Sequence, residues 1–236
     1  MPTHRVPPFA AAASAALLVM AALPASGSTA ASGRAADIPR QEGSVSAADL
    51  LAQVSHCHKI SHGKYRINKD APATVPVCDA GAAVFWKADM DVDCDGQVTD
   101  LCNADTDPAF QNDTAFHQSN GDPLIADQLP YVVVPGRSKI WNFARSGIRG
   151  GGVVAVIYND TVQYAVVGDI GPKNIIGEAS YATADTLGID PDPSTGGTDS
   201  GVTYILFKHT QVSPIEDHDA AVSLGDSLAQ QFVQGG

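Results

Sequence analysis

From about Gly81 onward, apolar residues fall into short runs separated by turn residues. Ala83–Trp86, Tyr131–Val134, Gly152–Tyr158, Val162–Val167 and Val202–Phe207 are rich in β-branched and aromatic side chains, which predicts strands. Asn159-Asp160 joins two of these runs and tolerates positive φ, so a two-residue hairpin turn is expected there. Three segments have helical spacing. Ser46 followed by Asp49 caps a short helix with Leu50, Leu51 and Val54 on its apolar face. Ala179 to Leu187 is Ala-rich and stops at Gly188, and Asp219 to Val233 places Val222, Leu224, Leu228 and Phe232 on one face. These elements add up to a mainly β fold with a few short helices. A closed barrel would leave such strands without exposed edges.

The N-terminus has a different pattern. Val6 to Leu23 is apolar but broken by Pro7, Pro8 and Ser14, and small residues follow at Ala25-Ser26-Gly27 and Ser28-Thr29-Ala30. This is the layout of a cleaved secretory signal, and it is too short and broken for a membrane span. Residues 1–30 are therefore expected to be removed. The Ala-, Gly- and Ser-rich stretch 31–46 reads as a flexible leader, and 47–236 as one domain. The mature protein is expected outside the cell, off the membrane and monomeric.

The chain has 14 Lys and Arg against 26 Asp and Glu, a net charge of −12. Signal removal takes Arg5 and no acid, giving 13 − 26 = −13. Nucleic-acid binding needs clustered Lys and Arg and is excluded. The charge suits a cationic ligand, or simply solubility. Four cysteines, Cys57, Cys78, Cys94 and Cys102, imply two disulfides in an exported chain. Of three possible connectivities, the local pairs Cys57–Cys78 and Cys94–Cys102 are expected. Zinc held by His56, Cys57, His58 and His62 is the rival, but no compact CxxC accompanies them.

Two segments hold acids where chemistry could use them. In Val167-Gly168-Asp169-Ile170-Gly171-Pro172 a strand delivers Asp169 at its end, and in Ile176-Gly177-Glu178-Ala179 Glu178 opens a helix. Each acid follows a glycine, which leaves room for a ligand to approach the backbone. Hydrolysis of a glycosidic bond needs such a pair, one acid and one base or nucleophile. The plain alternative is that Asp169 caps a turn and Glu178 complements a helix dipole. In the second segment, Asp89, Asp91 and Asp93 share one face of a period-two strand and could line a cleft for an amino sugar. Asp91, Asp93, Asp95 and Gly96 imitate the start of an EF-hand loop, but Cys102 stands where the motif needs Glu; no metal is assigned, and calcium stays open only if another acid closes the site. His117 could bind a sugar hydroxyl. Trp86 and Trp141 are either sugar platforms or core. No organic cofactor is expected.

Taken in order, Asp89–Gly96, Leu129–Pro135, Val167-Gly168-Asp169 and Gly177-Glu178-Ala179-Ser180 resemble the glycoside hydrolase family 75 chitosanases. That resemblance implies a secreted, endo-acting, inverting hydrolase of chitosan, a β-1,4-linked glucosamine polymer, with Asp169 and Glu178 as its catalytic pair. It also makes a cationic polymer the better reading of the charge. Gly168–Pro172 and Ile176–Ser180, followed by the Ala-rich helix, are more distantly similar to double-psi β-barrels. That implies a six-stranded barrel and supplies the rival function, a murein-lytic or wall-loosening protein; a non-catalytic module that binds polysaccharide or calcium is a third reading.

Overall fold

The computed structural model describes residues 41–235, so the expected signal and most of the expected leader lie outside the described residues. In chain order come α1 (Ala47–Gln53), β1 (His58–Lys59), β2 (Cys78–Ala80), β3 (Ala83–Asp93), β4 (Tyr131–Pro135), β5 (Val153–Tyr158), β6 (Thr161–Gly171), β7 (Glu178–Ser180), α2 (Tyr181–Thr186), β8 (Thr198–Phe207) and α3 (His218–Gln234). Six strands hydrogen-bond in the order β3–β7–β4–β6–β5–β8, and β8 pairs back onto β3. This closes the six-stranded barrel and removes the edges an open sheet would expose. β2 pairs with the first half of β3 and carries β1 outside the ring. Two neighbouring pairs, β3–β7 and β4–β6, are parallel, and the others in the ring are antiparallel.

Side chains alternate between two apolar clusters. Phe85, Tyr131, Val133, Tyr164, Val166 and Ile205 pack with α1 and α3. Val84, Trp86, Met90, Val132, Val167 and Tyr204 pack with α2 and the turn around Phe143. Fully burying a side chain of this size contributes about 1.5–3 kcal/mol. Trp86 is 0% exposed and stacked on Tyr204, and Trp141 meets it edge-on at 5% exposure. Both tryptophans are core residues here, and neither offers a face to a sugar.

Both expected disulfides are present, Cys57–Cys78 and Cys94–Cys102. The first removes Cys57 from any zinc set. The hairpin turns at Asn159, whose φ is 51°, and Ser46 caps α1 by accepting the Asp49 N–H at 3.1 Å.

Three expectations change. The end of the supposed flexible leader, residues 41–46, is bonded to the domain: the Glu42 N–H donates to Val162 O at 2.9 Å, and the Ser44 N–H to Asp226 at 2.6 Å. β3 runs on from Trp86 to Asp93, because Met90 and Val92 keep the buried side of the period going beneath the acids. The helix expected from Ala179 starts at Tyr181, because Glu178–Ser180 first pairs with both β3 and β4. Among the described residues, no helix is long and apolar enough to cross a membrane.

Candidate active site

Strand register decides which acids meet. In the parallel β3–β7 pair, Asp91 lies beside Glu178 and Asp93 beside Ser180, so these side chains share a face. Val132 pairs with both Ala179 and Val167, which puts Val133 on the Glu178 side. The β4–β6 register then skips one residue, so that Val133 pairs with Asp169 and Gly168 is the extra residue. In an unbroken ladder Gly168 would pair with Val133 and Asp169 would turn to the opposite face. The one-residue bulge therefore brings Asp169 round to Glu178. A Cβ at Gly168 would stand 2.5 Å from the Tyr131 Cβ, so the bulge tolerates only glycine without displacement.

The loop between β3 and β4 folds over this end of the face and supplies donors. Asp169 is 7% exposed, and its Oδ1 accepts the N–H of Ala115 at 2.6 Å and of Ile170 at 2.7 Å. Asp95 accepts the Gln111 N–H at 2.6 Å, and Asp93 accepts the Asp95 N–H at 2.7 Å. Carboxylate oxygens of Asp93, Asp95 and Asp169 lie within 4.8 Å of one another. Three like charges this close must share protons or a cation. Asp91 stands apart from the trio and Asp169 comes from another strand, so the grouping is not that of an EF-hand loop.

The crowding acts on protonation. Burial, then the charge of Asp91 and of Asp169, pushes the Glu178 carboxyl up to about 7. Among the described residues, no N–H or O–H donates to that carboxyl, and its Oε2 rests against Gly171, where a Cβ would come within 2.5 Å. Burial also raises Asp169, but its two backbone N–H donors oppose the rise by favouring the charged form. Asp95 is pushed up to about 6, chiefly by burial, and Asp93 is held well above the usual carboxylate range by burial and by its acidic neighbours. The site thus pairs a carboxyl pushed up to about 7 with one whose rise is opposed by two N–H groups that favour its charged form. General acid–base chemistry needs that combination.

The remaining sequence candidates fall in different places. Asp91 is exposed at the rim. Asp89 is 3% exposed with its carboxyl turned against Gly177, so it is not available to a substrate at the surface. His117 is exposed and pairs with Asp113 at 2.7 Å, two residues beyond the Ala115 N–H that holds Asp169. A cavity of about 400 Å³ opens beside it, lined by Phe116, His117, Ser119, Gln211 and Ile215. Sequence reasoning gave no site role to Tyr131, Ala115 or Gln111, and met Asp95 only in the EF-hand-like run. Asp95 belongs to the trio, although its place in the acidic run was a signal. Tyr131 donates its hydroxyl to Asp95 O at 2.9 Å. The Ala115 and Gln111 N–H groups lie on a loop that no periodicity places.

Comparison with known proteins places the chain in a family. The sequence model of the family described as fungal chitosanase of glycosyl hydrolase group 75 matches residues 90–233. An endo-chitosanase C of Aspergillus oryzae is 30% identical over 204 residues, covering 78% of this chain and 51% of the relative. An endo-chitosanase B of Aspergillus oryzae (strain ATCC 42149 / RIB 40) is 32% identical over 158 residues, 59% of this chain and 66% of the relative. An endo-chitosanase of Aspergillus fumigatus is 28% identical over 158 residues, again 59% and 66%. The chain spans about half the length of the endo-chitosanase C relatives.

Proposed function

The chain belongs to glycosyl hydrolase group 75, and from that premise we propose that it cuts β-1,4 linkages of chitosan from within the polymer, with inversion at the anomeric carbon. Glu178 protonates the leaving oxygen and Asp169 activates the attacking water. The observation that carries these roles is the difference between the two acids. Glu178 is pushed up to about 7 among acidic neighbours, while Asp169 is held by the Ala115 and Ile170 N–H groups. Inversion needs space for a water between the carboxyls, about 6.5–9.5 Å.

The substrate class follows from charge. A polymer of ammonium-bearing sugars meets the exposed Asp91 at the rim, with Asp93 behind it and the His117 loop on the Asp169 side. A net charge of −12 concentrates such a polymer near the protein. The protein is proposed to reach its substrate outside the cell as a monomer, after residues 1–30 are removed as a signal.

Glu178→Gln keeps the shape and removes the proton donor. It is expected to lower reducing-end release from chitosan by about 10²-fold or more while leaving the unfolding midpoint no lower than in the parent. Turnover near the parent rate would remove Glu178 from its role. The anomeric configuration of the first product, followed by NMR, tests inversion separately.

A further inference from the structure

One buried carboxyl in the structure has no place in the acid–base scheme. Asp89 is 3% exposed, and its Oδ1 has no hydrogen-bond partner among the described residues. A lone buried carboxyl is costly to a fold and is normally replaced or paired. Three features surround this one. Opposite it, the β3–β8 ladder is irregular: Ala88 pairs with Val202 and Met90 with Thr198, so β8 advances four residues while β3 advances two. The Asp89 main-chain carbonyl accepts the hydroxyl of buried Tyr204 at 2.8 Å, which fixes the backbone there. The Asp89 Oδ1 lies so close to the Gly177 Cα that any Cβ at 177 would overlap it. Gly177 has φ 114° and is bonded through its carbonyl to the Asp91 N–H at 2.8 Å. The next residue is Glu178.

We propose that Asp89 is a positioning residue for the reaction, holding the Gly177–Glu178 backbone so that the Glu178 carboxyl stands in the cleft, and that it makes no contact with substrate. This rests on the proposed role of Glu178. The sequence pattern placed Asp89, Asp91 and Asp93 together as substrate contacts; in the structure Asp91 is exposed, Asp93 half-buried and Asp89 buried. The acidic side chain fits this task only in its neutral form. Groups that face it are Asp91 on its own strand, Glu178 on β7, and Asp199 and the Tyr204 hydroxyl on β8. Burial, then the charges of Asp91, Glu178 and Asp199, pushes Asp89 up to about 8. Burial and these neighbours therefore favour its neutral form, and an amide of the same shape is its natural substitute.

The test compares Asp89→Asn with Asp89→Ala in the whole protein, using steady-state kinetics on chitosan across pH. Asp89→Asn is expected to keep kcat and KM within about twofold of the parent and to leave the alkaline limb of kcat/KM in place. Asp89→Ala is expected to lower kcat by about tenfold or more with KM changed less than about twofold. Its alkaline limb should move to lower pH, because Glu178 then relaxes into water. Should Asp89→Ala not fold, Asp89→Ser also withdraws from Gly177 and gives the same comparison. A rise in KM alone, an unchanged kcat and limb in Asp89→Ala, or an Asp89→Asn variant as impaired as Asp89→Ala would each overturn the proposal. Glu178→Gln run alongside separates the two ideas: if it stays active, the catalytic role of Glu178 fails, and if it is inactive while Asp89→Ala matches the parent, only the positioning role fails.

Discussion

Glu178 and Asp169 have similar side chains and face the same cleft, yet their neighbours divide the work. Burial raises Asp169, but it accepts two main-chain N–H groups, fixed donors that no solvent has to supply, and these oppose the rise by favouring its charged form. Glu178 is penalised in its charged form first by burial and then by Asp91, Asp169 and Asp95, so its proton is retained. Asp91 heads the acidic neighbours and is exposed, which allows its charge to be removed with little structural cost. In Asp91→Asn the Glu178 carboxyl should lose its proton at lower pH. The alkaline limb of kcat against pH is then expected to shift to lower pH, and KM for chitosan to rise as a negative subsite is lost. A limb at the parent position would mean that the proton donor is not Glu178, or that Asp91 does not act on it.

At the scale of elements, the bulge in β6 matters most to the site. Gly168 lets the strand skip one register position beside β4, and Asp169 turns to the Glu178 face as a result. In Gly168→Ala the new Cβ must displace Tyr131 or Leu124, both fully buried. A loss of about 1–3 kcal/mol is expected from overpacking of this kind, together with a kcat loss larger than any change in KM, because Asp169 is re-aimed. Thermal unfolding and steady-state kinetics check the two effects separately, and a variant destabilised but fully active per folded molecule would break the link between bulge and site. The sequence already displayed five of the eight strands, the hairpin, α3 and the two disulfides, because period, turn chemistry and cysteine spacing are local signals, whereas β1, β2 and β7 are too short to show a period. It also displayed Asp169 and Glu178 as acids at element ends. What it could not display was non-local. The partners of β7, β3 in parallel and β4 antiparallel, come from distant segments, and their pull converts Glu178–Ser180 from helix start to strand. The burial of Asp89 depends on Gly177, 88 positions along the chain. The donors of Ala115 and Gln111 sit on a loop whose course is set by the Cys94–Cys102 link and by contacts with β6.

Across the whole molecule, the same carboxyls that serve the site act against stability as pH rises. A carboxyl raised in the folded protein binds its proton more tightly there than in the unfolded chain, so its contribution is fully present below its ordinary value and is lost as pH climbs through the raised one. Glu178 moves from 4.5 to about 7, Asp89 from 3.8 to about 8 and Asp95 from 3.8 to about 6. Their combined penalty therefore grows between about pH 4 and pH 8. His218, raised mainly by its bond to Glu42, adds to the trend, since the stability its charged form gives is lost as pH rises through its raised value. Self-repulsion at a net charge of −12 points the same way. Opposing them at the acid end are Asp79, held low by Lys208, and Asp226, held low by the Ser44 N–H, whose stabilisation is lost as pH falls below the usual carboxylate range. The unfolding midpoint at constant ionic strength is thus expected to peak in mildly acidic solution, near pH 4–5, and to decline steadily to pH 8. Asp89→Asn and Glu178→Gln should each flatten the decline, because each removes one proton-linked penalty from the folded state. A midpoint that climbs from pH 5 to pH 8, or a decline equally steep in both variants, would show that these carboxyls are not held neutral by the fold.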